Sequence, residues 1–260
     1  HMPVHLGSMG ASVRAIRERH GDAVRDGDAY LVNSPYAGGT HLPDLTIVTP
    51  LFVGGGPRPD FWVASRAHHA DVGGLTPGSM PPFSTRIEDE GVLFEGERIV
   101  AGGRLDVELL LERFGRGPHP ARNVERNLAD LAAQLAANER GRAELLRLVA
   151  AYGLQVVAAY MGHVQANAEQ RVRAALRSLA IAGRGPARCT LEMDGGERIA
   201  VAVSVDAASG DATVHFDGTS PQSGSNRNAP LAVCTAAVLY VFRTLVDAEI
   251  PLNEGCLAPI

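Results

Sequence analysis

The chain has 260 residues, of which 45% are hydrophobic and 20% charged, the usage of an ordinary globular protein. Its formal net charge of -5 and its pI of about 6.0 exclude an overall basic surface that would recruit nucleic acid or anionic lipid. No apolar run reaches the roughly 18 residues that a membrane span needs, and no charged-then-apolar signal sequence opens the chain.

A short helix is the first predicted element, over Ser12 to Arg19, and Gly21 follows it as a C-terminal stop. Three strands are predicted next, and the last two are expected to pair antiparallel because their connection is short: "DAYLVN", "LTIVTPLFV" and "FWVASRAHH". The stretch from Leu75 to Gly103 is rich in Gly, Pro and Ser and predicts a structured loop region.

The middle third is dense in Ala, Leu, Glu and Arg, and its apolar residues recur at intervals of three and four. From Asn123 to Leu179 this pattern predicts two or three helices with breaks near Gly141 and Gly153, packed on a sheet or on a partner. After the segment 183–186, three antiparallel strands and a closing helix are predicted: "RCTLEMDG", "RIAVAVSVDA", "DATVHFDGT" and "APLAVCTAAVLYVFRTLVD".

These elements predict a mixed α+β fold, with antiparallel-rich sheets and a helical layer in the middle third. The length allows one or two domains. The expected divisions are 3–120, an α/β region that contains the histidine motifs, then 121–182, which is helical, and 183–260, which holds strands and the closing helix. A single domain that contains all three is the alternative.

Cysteine usage and the chain ends give two further expectations. Cys189, Cys234 and Cys256 stand far apart without CxxC spacing, which argues against a disulfide framework or a zinc ribbon and favours a cytoplasmic protein. The apolar neighbours of Cys189 and Cys234 predict buried thiols. The opening His1-Met2 resembles a cloning remnant and the chain stops without a polar tail, so a fragment is expected.

Two histidine-rich stretches, "GGTHLPD" and "RAHHADVGG", are the main candidates for chemistry. His41 and Asp44 lie three residues apart, and pairing of the two flanking strands would return His68 and His69 to the same end of the sheet. Alternation sends His68 and His69 to opposite faces of a strand, so at most one of the two is expected to bind. Two imidazoles and one carboxylate suit Zn, Mn or Fe(II).

Asp71 is a further candidate, either as a ligand or as an acceptor that orients a histidine. The alternative is a polar loop in which His41 caps a turn and Asp44 bonds loop amides. The spacing lacks the i, i+4 geometry of HExxH, so spacing alone favours this alternative.

Other motifs have plain structural readings beside their functional ones. Gly73-Gly74 and Gly78-Ser79 predict either an anion-binding nest or flexible turns. Ser79 lacks a GxSxG context that would support a nucleophile. The loop 217–228 offers Thr219, Ser220 and Asn226 to a ligand, but its composition also suits an ordinary loop. Carboxylates of the segment 88–97 predict a solvated acidic face.

An ordered set of blocks resembles the hydantoinase B/5-oxoprolinase family, and the acetone and acetophenone carboxylase subunits are similar too. The blocks run from Pro3 to Cys256 and include "HLGSMGASVRAI", "NSPYAGGTHLPDLTIVTPLF", "RAHHADVGGLTPGSMPP", "EDEGV", "AQLAAN", "FDGTSPQSGSNRNAP" and "PLNEGC". The combination of "GGTHLPD", "HHADVGG" and "PGSMP" is highly specific to that family.

The resemblance implies a B-type subunit that works with a hydantoinase A-type subunit carrying ATP and Mg. Together they would open a lactam or hydantoin ring, or in the carboxylase branch carboxylate a ketone. A divalent metal, Zn or Mn, is implied on a His-x-x-Asp pair and a later histidine. These map to His41 and Asp44 with His68, and His69 is the second choice. Asp71 or His69 is then expected to act as catalytic orienter or proton shuttle.

The chain departs from the family pattern in three ways. Ser34 stands where members commonly have Asp in Asn-Asp-Pro-Tyr. An N-terminal segment with an acidic residue that completes the metal site in some members is absent, as is the C-terminal half of a typical member. Weak metal binding or none, and inactivity of the chain without its partner, are therefore expected.

Three functions follow as alternatives: an ATP-dependent cyclic-amide hydrolase subunit, an ATP-dependent ketone carboxylase subunit, and a non-catalytic scaffold for the ATP subunit. The hydrolase is the main hypothesis. The helical segment from Asn123 to Leu179 is the candidate for subunit contact, with a simple core role as the alternative.

Overall fold

The computed structural model describes residues 3–181, 186–247 and 249–260. This part of the chain contains five α-helices and eight strands, joined by loops and short 3-10 turns. In chain order they are α1 Pro3–His20, β1 Ala29–Val32, β2 Asp44–Leu51, β3 Phe61–His68, β4 Glu95–Ala101, β5 Arg104–Leu105, α2 Val107–Gly115, α3 Val124–Tyr152, α4 Leu154–Ile181, β6 Ala187–Glu192, β7 Arg198–Val205, β8 Ala212–His215 and α5 Leu231–Thr244.

The larger sheet has five antiparallel strands in the order β3-β2-β1-β4-β5. Helices cover both of its faces, so β2 is buried along most of its length, as its β-branched, apolar sequence indicates. On one face Leu31, Ile47 and Phe94 pack with α2 and α3. On the other face Tyr30 and Val48 pack with α1.

The smaller sheet has the order β6-β7-β8 and packs against α5 and the C-terminal half of α4. Val172 and Leu176 of α4 meet Leu239 and Phe242 of α5 in this second core. The three predicted strands and the closing helix are thereby confirmed, and so is the mixed α+β fold class. The turn at 183–185, predicted to precede β6, lies outside the described residues, and the three-way division of the chain stays a prediction.

Several predicted boundaries were wrong. The region predicted as loop contains β4, whose Gly96 and three charged residues conceal the strand pattern, although it pairs with β1 in the sheet interior. Helix α1 begins at Pro3 and not at Ser12, because Gly7 and Gly10 are accommodated in tight helix contacts. Helix α2 and the short strand β5 were not predicted.

Gly141 does not break α3. A Cβ built on Gly141 would lie 2.9 Å from Val63 Cγ1, so this glycine lets the helix approach β3 closely. Gly153, at φ +84°, ends α3 as predicted. Cys189 is exposed on β6, which corrects its predicted burial; Cys234 is half-buried.

Candidate metal centre

The β2–β3 pair brings the two histidine stretches together. Asp44 begins β2 and faces His68 at the end of β3 in register, and His41 precedes Asp44 in the connecting turn. Two glycines permit this turn. Gly38 has φ +78°, and a Cβ there would lie 2.5 Å from the backbone nitrogen of Ser12; a Cβ on Gly39 would lie 2.6 Å from the carbonyl oxygen of Ser34.

His41, Asp44 and His68 form a compact group, with one potential ligand atom from each lying within 4.8 Å of the others. His68 Nδ1 is 3.0 Å from His41 Nε2 and 3.1 Å from Asp44 Oδ1. His41 Nδ1 is 3.2 Å from Asp44 Oδ2. Ligand atoms around a tetrahedral ion with bonds of 2.0–2.1 Å stand about 3.3–3.4 Å apart. Two imidazoles and a carboxylate at these separations fit a divalent ion.

Burial differs within the group. The Asp44 side chain is fully buried, whereas the side chains of His41 and His68 are 35% and 49% exposed. The carboxylate therefore forms the floor of the group and the imidazoles open to solvent. A small molecule has access from the imidazole side.

The surroundings favour a charged carboxylate beside a neutral imidazole. Burial alone would raise the pKa of Asp44, but the hydrogen bond from Thr40 and the neighbouring histidines hold it below its ordinary value. Burial lowers the pKa of His41, and His68 lowers it further, against the opposing effect of Asp44. An ionised carboxylate and a neutral imidazole are the forms that bind metals.

Arg66 lies beneath this site in β3 and ties it to α1. Its guanidinium donates to Ser8 Oγ, to Ser12 Oγ at 2.7 Å and to Thr46 Oγ1 at 2.6 Å. Burial lowers the pKa of Arg66 to about 10, which Asp44 partly opposes. These neutral acceptors hold a half-buried cation near the carboxylate and fix the first half of α1 against β3.

The predicted alternation at His68 and His69 is confirmed. His69 is fully buried and turns away from His41 and Asp44. Its Nδ1 lies 3.2 Å from Asn127 Oδ1, and its Nε2 lies 3.0 Å from Gln134 Oε1 on α3. His68 is therefore the histidine of this pair that joins the candidate ligand group.

Asp71 also lies outside the ligand group. Its carboxylate accepts hydrogen bonds from the backbone amides of Gly73, Gly78 and Arg122, and Arg122 Nη1 donates to it at 2.8 Å. The predicted anion nest thus holds the chain's own carboxylate. The structure brings neither Asp71 nor His69 into hydrogen-bond contact with His41, Asp44 or His68 in the described residues, and their catalytic role stays a prediction.

The other candidate side chains are occupied by structural bonds. Ser79 Oγ donates to the carbonyl of Gly73 at 2.6 Å and accepts from the amide of Val72. Thr219 and Ser220 bond the backbone of β7. Asn226 donates to the carbonyl of Pro81 at 2.8 Å, which links the loop 217–228 to the loop before β4. None of these contacts involves the ligand group.

Sequence reasoning missed three residues around Asp44. His5 Nε2 lies 2.8 Å and Thr40 Oγ1 2.6 Å from Asp44 Oδ2, and Arg66 lies behind them. Thr40 had a signal, since it stands next to His41 in the glycine turn. His5 stands 39 residues before Asp44, and only the packing of α1 connects the two.

Within the described residues no single helix is long and apolar enough to cross a membrane, and α3 and α4 pass that test only as a bent pair.

A family model and curated relatives match this chain along its whole length. The family model for hydantoinase B/oxoprolinase matches residues 1–260. The 5-oxoprolinase 1 of Arabidopsis thaliana is 43% identical over 100% of this chain, which spans 22% of that relative.

Two solved structures share the fold. The ATP-dependent caprolactamase from Pseudomonas jessenii superposes with a TM-score of 0.84 at 24% identity, over 99% of this chain and 43% of the other. A nucleotide-free acetone carboxylase gives a TM-score of 0.82 at 18% identity, over 98% of this chain and 35% of the other. This chain thus spans less than half the length of each of these relatives. With the family model matched along its whole length, the chain belongs to the hydantoinase B/oxoprolinase family.

Proposed function

We propose that this chain provides the metal-binding part of an ATP-dependent enzyme that hydrolyses a cyclic amide. The observation that carries the proposal is the convergence of His41, Asp44 and His68 at one end of the sheet. The relatives named 5-oxoprolinase, at about 40% identity over the whole chain, support a lactam as the substrate class.

The residues of the chain have distinct parts in this proposal. His41 and His68 would hold Zn or Mn through ring nitrogens, and Asp44 would supply the balancing negative charge. The ion would act as a Lewis acid towards a carbonyl oxygen or a water molecule. The exposed sides of the two imidazoles leave room for the substrate carbonyl, and the buried carboxylate keeps the imidazoles oriented. His69 and Asp71 would support this arrangement from behind, through α3 and the loop after β3.

The activating chemistry is assigned to a partner. A hydantoinase A-type subunit with ATP and Mg would phosphorylate the amide oxygen, which makes the carbonyl carbon electrophilic. Hydrolysis would follow at the metal side. The requirement for ATP follows the name of the caprolactamase that shares the fold, and the division between two subunits follows from the family resemblance. The chain alone is then expected to be inactive.

The end of α3 and the first half of α4 support the proposed subunit contact. Between Arg147 and Glu169 the sequence contains no Asp, Glu, Lys or Arg. Tyr152 and Tyr160 are 65% and 67% exposed, and Val156, Met161 and Val164 are exposed as well. An uncharged, apolar helix surface of this kind is typical of an interface. We assign it to the ATP-binding partner.

The first experiment measures metal content and activity together. The chain is purified with its partner and assayed with ATP and 5-oxoproline, a hydantoin or caprolactam. His41→Ala is expected to lose the metal by mass spectrometry and to lose ring opening. His215→Ala, at an exposed histidine of β8 outside the ligand group and the proposed contact surface of α3 and α4, is the control and should retain both. Absence of ring opening on every cyclic amide would contradict the proposal.

Ketone carboxylation is the second candidate, favoured by the acetone carboxylase fold match. Its signature is ATP turnover that requires both bicarbonate and a ketone. Much higher sequence identity to 5-oxoprolinases supports hydrolysis over this alternative. A scaffold without chemistry is the third candidate, and unchanged activity of His41→Ala and Asp44→Ala complexes would favour it.

The second experiment tests the surface on α4. Tyr160→Glu places a charge in the apolar patch and is expected to weaken binding of the partner at least tenfold, as measured by calorimetry. Tyr240→Glu, at an exposed tyrosine of α5, is the matched control. Equal binding by the two variants would assign the patch another role.

A further inference from the structure

Two donors outside the candidate ligand group meet on one oxygen of Asp44. Thr40 Oγ1 lies 2.6 Å and His5 Nε2 lies 2.8 Å from Asp44 Oδ2. The other oxygen, Oδ1, faces His68 Nδ1 at 3.1 Å. The Asp44 side chain is fully buried and a carboxylate oxygen accepts, so His5 Nε2 is the donor in this contact. Oδ2 therefore contacts two residues outside the ligand group, in addition to His41 Nδ1 at 3.2 Å.

The position of His5 is fixed by the packing of α1. Arg66 donates to Ser8 and Ser12, one and two turns after His5. Ser12 Oγ in turn donates to the carbonyl of Gly38 at 2.8 Å, beside the turn that holds His41. On the opposite side Gly7 lies against Ala236 of α5. The imidazole of His5 is held in place before any ion binds.

We infer that His5 is a positioning residue for the metal ligand Asp44. By donating to Oδ2 together with Thr40, it fixes the rotation of the carboxylate, in which Oδ1 faces His68 and Oδ2 faces His41. Such outer hydrogen bonds on a ligand typically change metal affinity 10- to 100-fold. This inference rests on the metal site proposed above.

Two variants of His5 separate a hydrogen-bond role from a packing role. Gln places an amide N–H near the position of the imidazole Nε2 and retains the donor. Leu fills similar space and has no donor. His20→Leu is the control, since His20 lies on the same helix, far from Asp44, and bonds the carbonyl of Gly96. All are made in the full 260-residue chain.

The readouts are Co²⁺ affinity by competition with a chromophoric chelator and the visible Co²⁺ absorption spectrum. We expect His5→Leu to weaken Co²⁺ binding 10- to 100-fold, while His5→Gln stays within about threefold of the native chain. In both variants the spectrum should indicate the same number of Co²⁺ ligands as in the native chain. His20→Leu should bind Co²⁺ normally even where its thermal stability falls.

Three outcomes would overturn the inference. Native Co²⁺ affinity in His5→Leu would show that His5 does not position Asp44 for metal binding. Equal weakening in Leu and Gln, with a spectrum that indicates one fewer nitrogen ligand, would make His5 a metal ligand itself. If the native chain binds no Co²⁺, the metal proposal fails and the role of His5 fails with it, which distinguishes that result from the other two.

Discussion

The charged groups at the candidate metal centre, the buried Asp44 and the half-buried Arg66, are each balanced by specific donors or acceptors. Asp44 is fully buried, and its carboxylate forms hydrogen bonds with Thr40, His5 and His68. The guanidinium of Arg66 donates to serine and threonine hydroxyls. Removing one partner of such a group leaves the other buried and unpaired, which costs more than the bond contributes when made. Single substitutions here are therefore informative about structure as well as about chemistry.

Asp71 gives a residue-scale prediction that separates these effects. Burial alone would raise its pKa, but the amides of Gly73, Arg122 and Gly78 and the guanidinium of Arg122 hold the pKa below its ordinary value. Because the folded pKa is depressed, its stabilisation is complete above the unfolded pKa of about 3.9 and is lost as pH falls through the lower folded pKa.

Asp71→Asn is expected to reduce the free energy of unfolding by about 2 kcal/mol at pH 7, since charge-assisted hydrogen bonds are weakened. The difference from the native chain should shrink as the pH falls below about 4. Urea unfolding between pH 3 and pH 7 measures both. Co²⁺ affinity should stay close to native; a large loss of affinity with unchanged stability would instead support the catalytic role predicted for Asp71.

At the scale of elements, α3 is attached to the larger sheet by a seam of buried amides. Asn127, Gln134 and Asn138 share one face of the helix. Their amide groups donate to the main-chain carbonyls of Asp71, Leu45, Ser65 and Ile47. A polar seam fixes the register of helix on sheet more narrowly than apolar contacts do, because each buried donor needs its own acceptor. Asn127 and Gln134 of this seam also contact the imidazole of His69, which fixes the backbone next to His68.

Two helical glycines provide a matched prediction. Gly141→Ala gains about 1 kcal/mol of helix propensity, but its Cβ would meet Val63, and overpacking costs about 1–3 kcal/mol. The overpacking wins, so a net loss of about 1 kcal/mol is expected. Gly162→Ala in α4 meets nothing within 4 Å and should gain up to about 1 kcal/mol. Chemical denaturation measures both, and a stabilised Gly141→Ala would refute the close approach of α3 to β3.

At the scale of the whole molecule, the first and last helices pack together, and α1 also contacts β2 and β3, which carry the candidate centre. Gly7 of α1 lies against Ala236 of α5, and Arg14 Nη1 pairs with Glu254 Oε1 at 2.8 Å. The exposed ion pair adds little, because water screens it. The close packing at Gly7 is the stronger constraint, and it links the C-terminal region to the helix that carries His5.

Gly7→Ala is expected to damage stability and metal binding together. Its Cβ would lie 2.6 Å from Ala236 Cβ and also against the backbone of that residue, so α1 must shift at a cost of about 1–3 kcal/mol. The shift moves His5 relative to Asp44, and Co²⁺ affinity should fall about tenfold. Thermal unfolding and Co²⁺ titration test this, with Glu18→Ala on the exposed side of α1 as the control. Native Co²⁺ affinity in a destabilised Gly7→Ala variant would show that the position of α1 does not influence metal binding.

The sequence by itself determined the features that local backbone geometry controls. The alternation of a strand separated His68 from His69, the glycine turn placed His41 beside Asp44, and the spacing of apolar residues indicated the long helices. Strand β4 was not predicted because its glycine and charged residues hide the period of two. Gly141 was wrongly predicted to break the helix, because this glycine serves the close approach of α3 to Val63 of β3.

Only the tertiary structure decided which side chains surround the ligand group. His5 reaches Asp44 because α1 packs between β3 and α5, and Asp71 turns to its own loop amides because Arg122 approaches from the start of α3. These partners are distant in sequence, and no local propensity encodes them. Their positions follow from burial and from the need of each buried polar group for a partner, which are satisfied only when the elements are assembled.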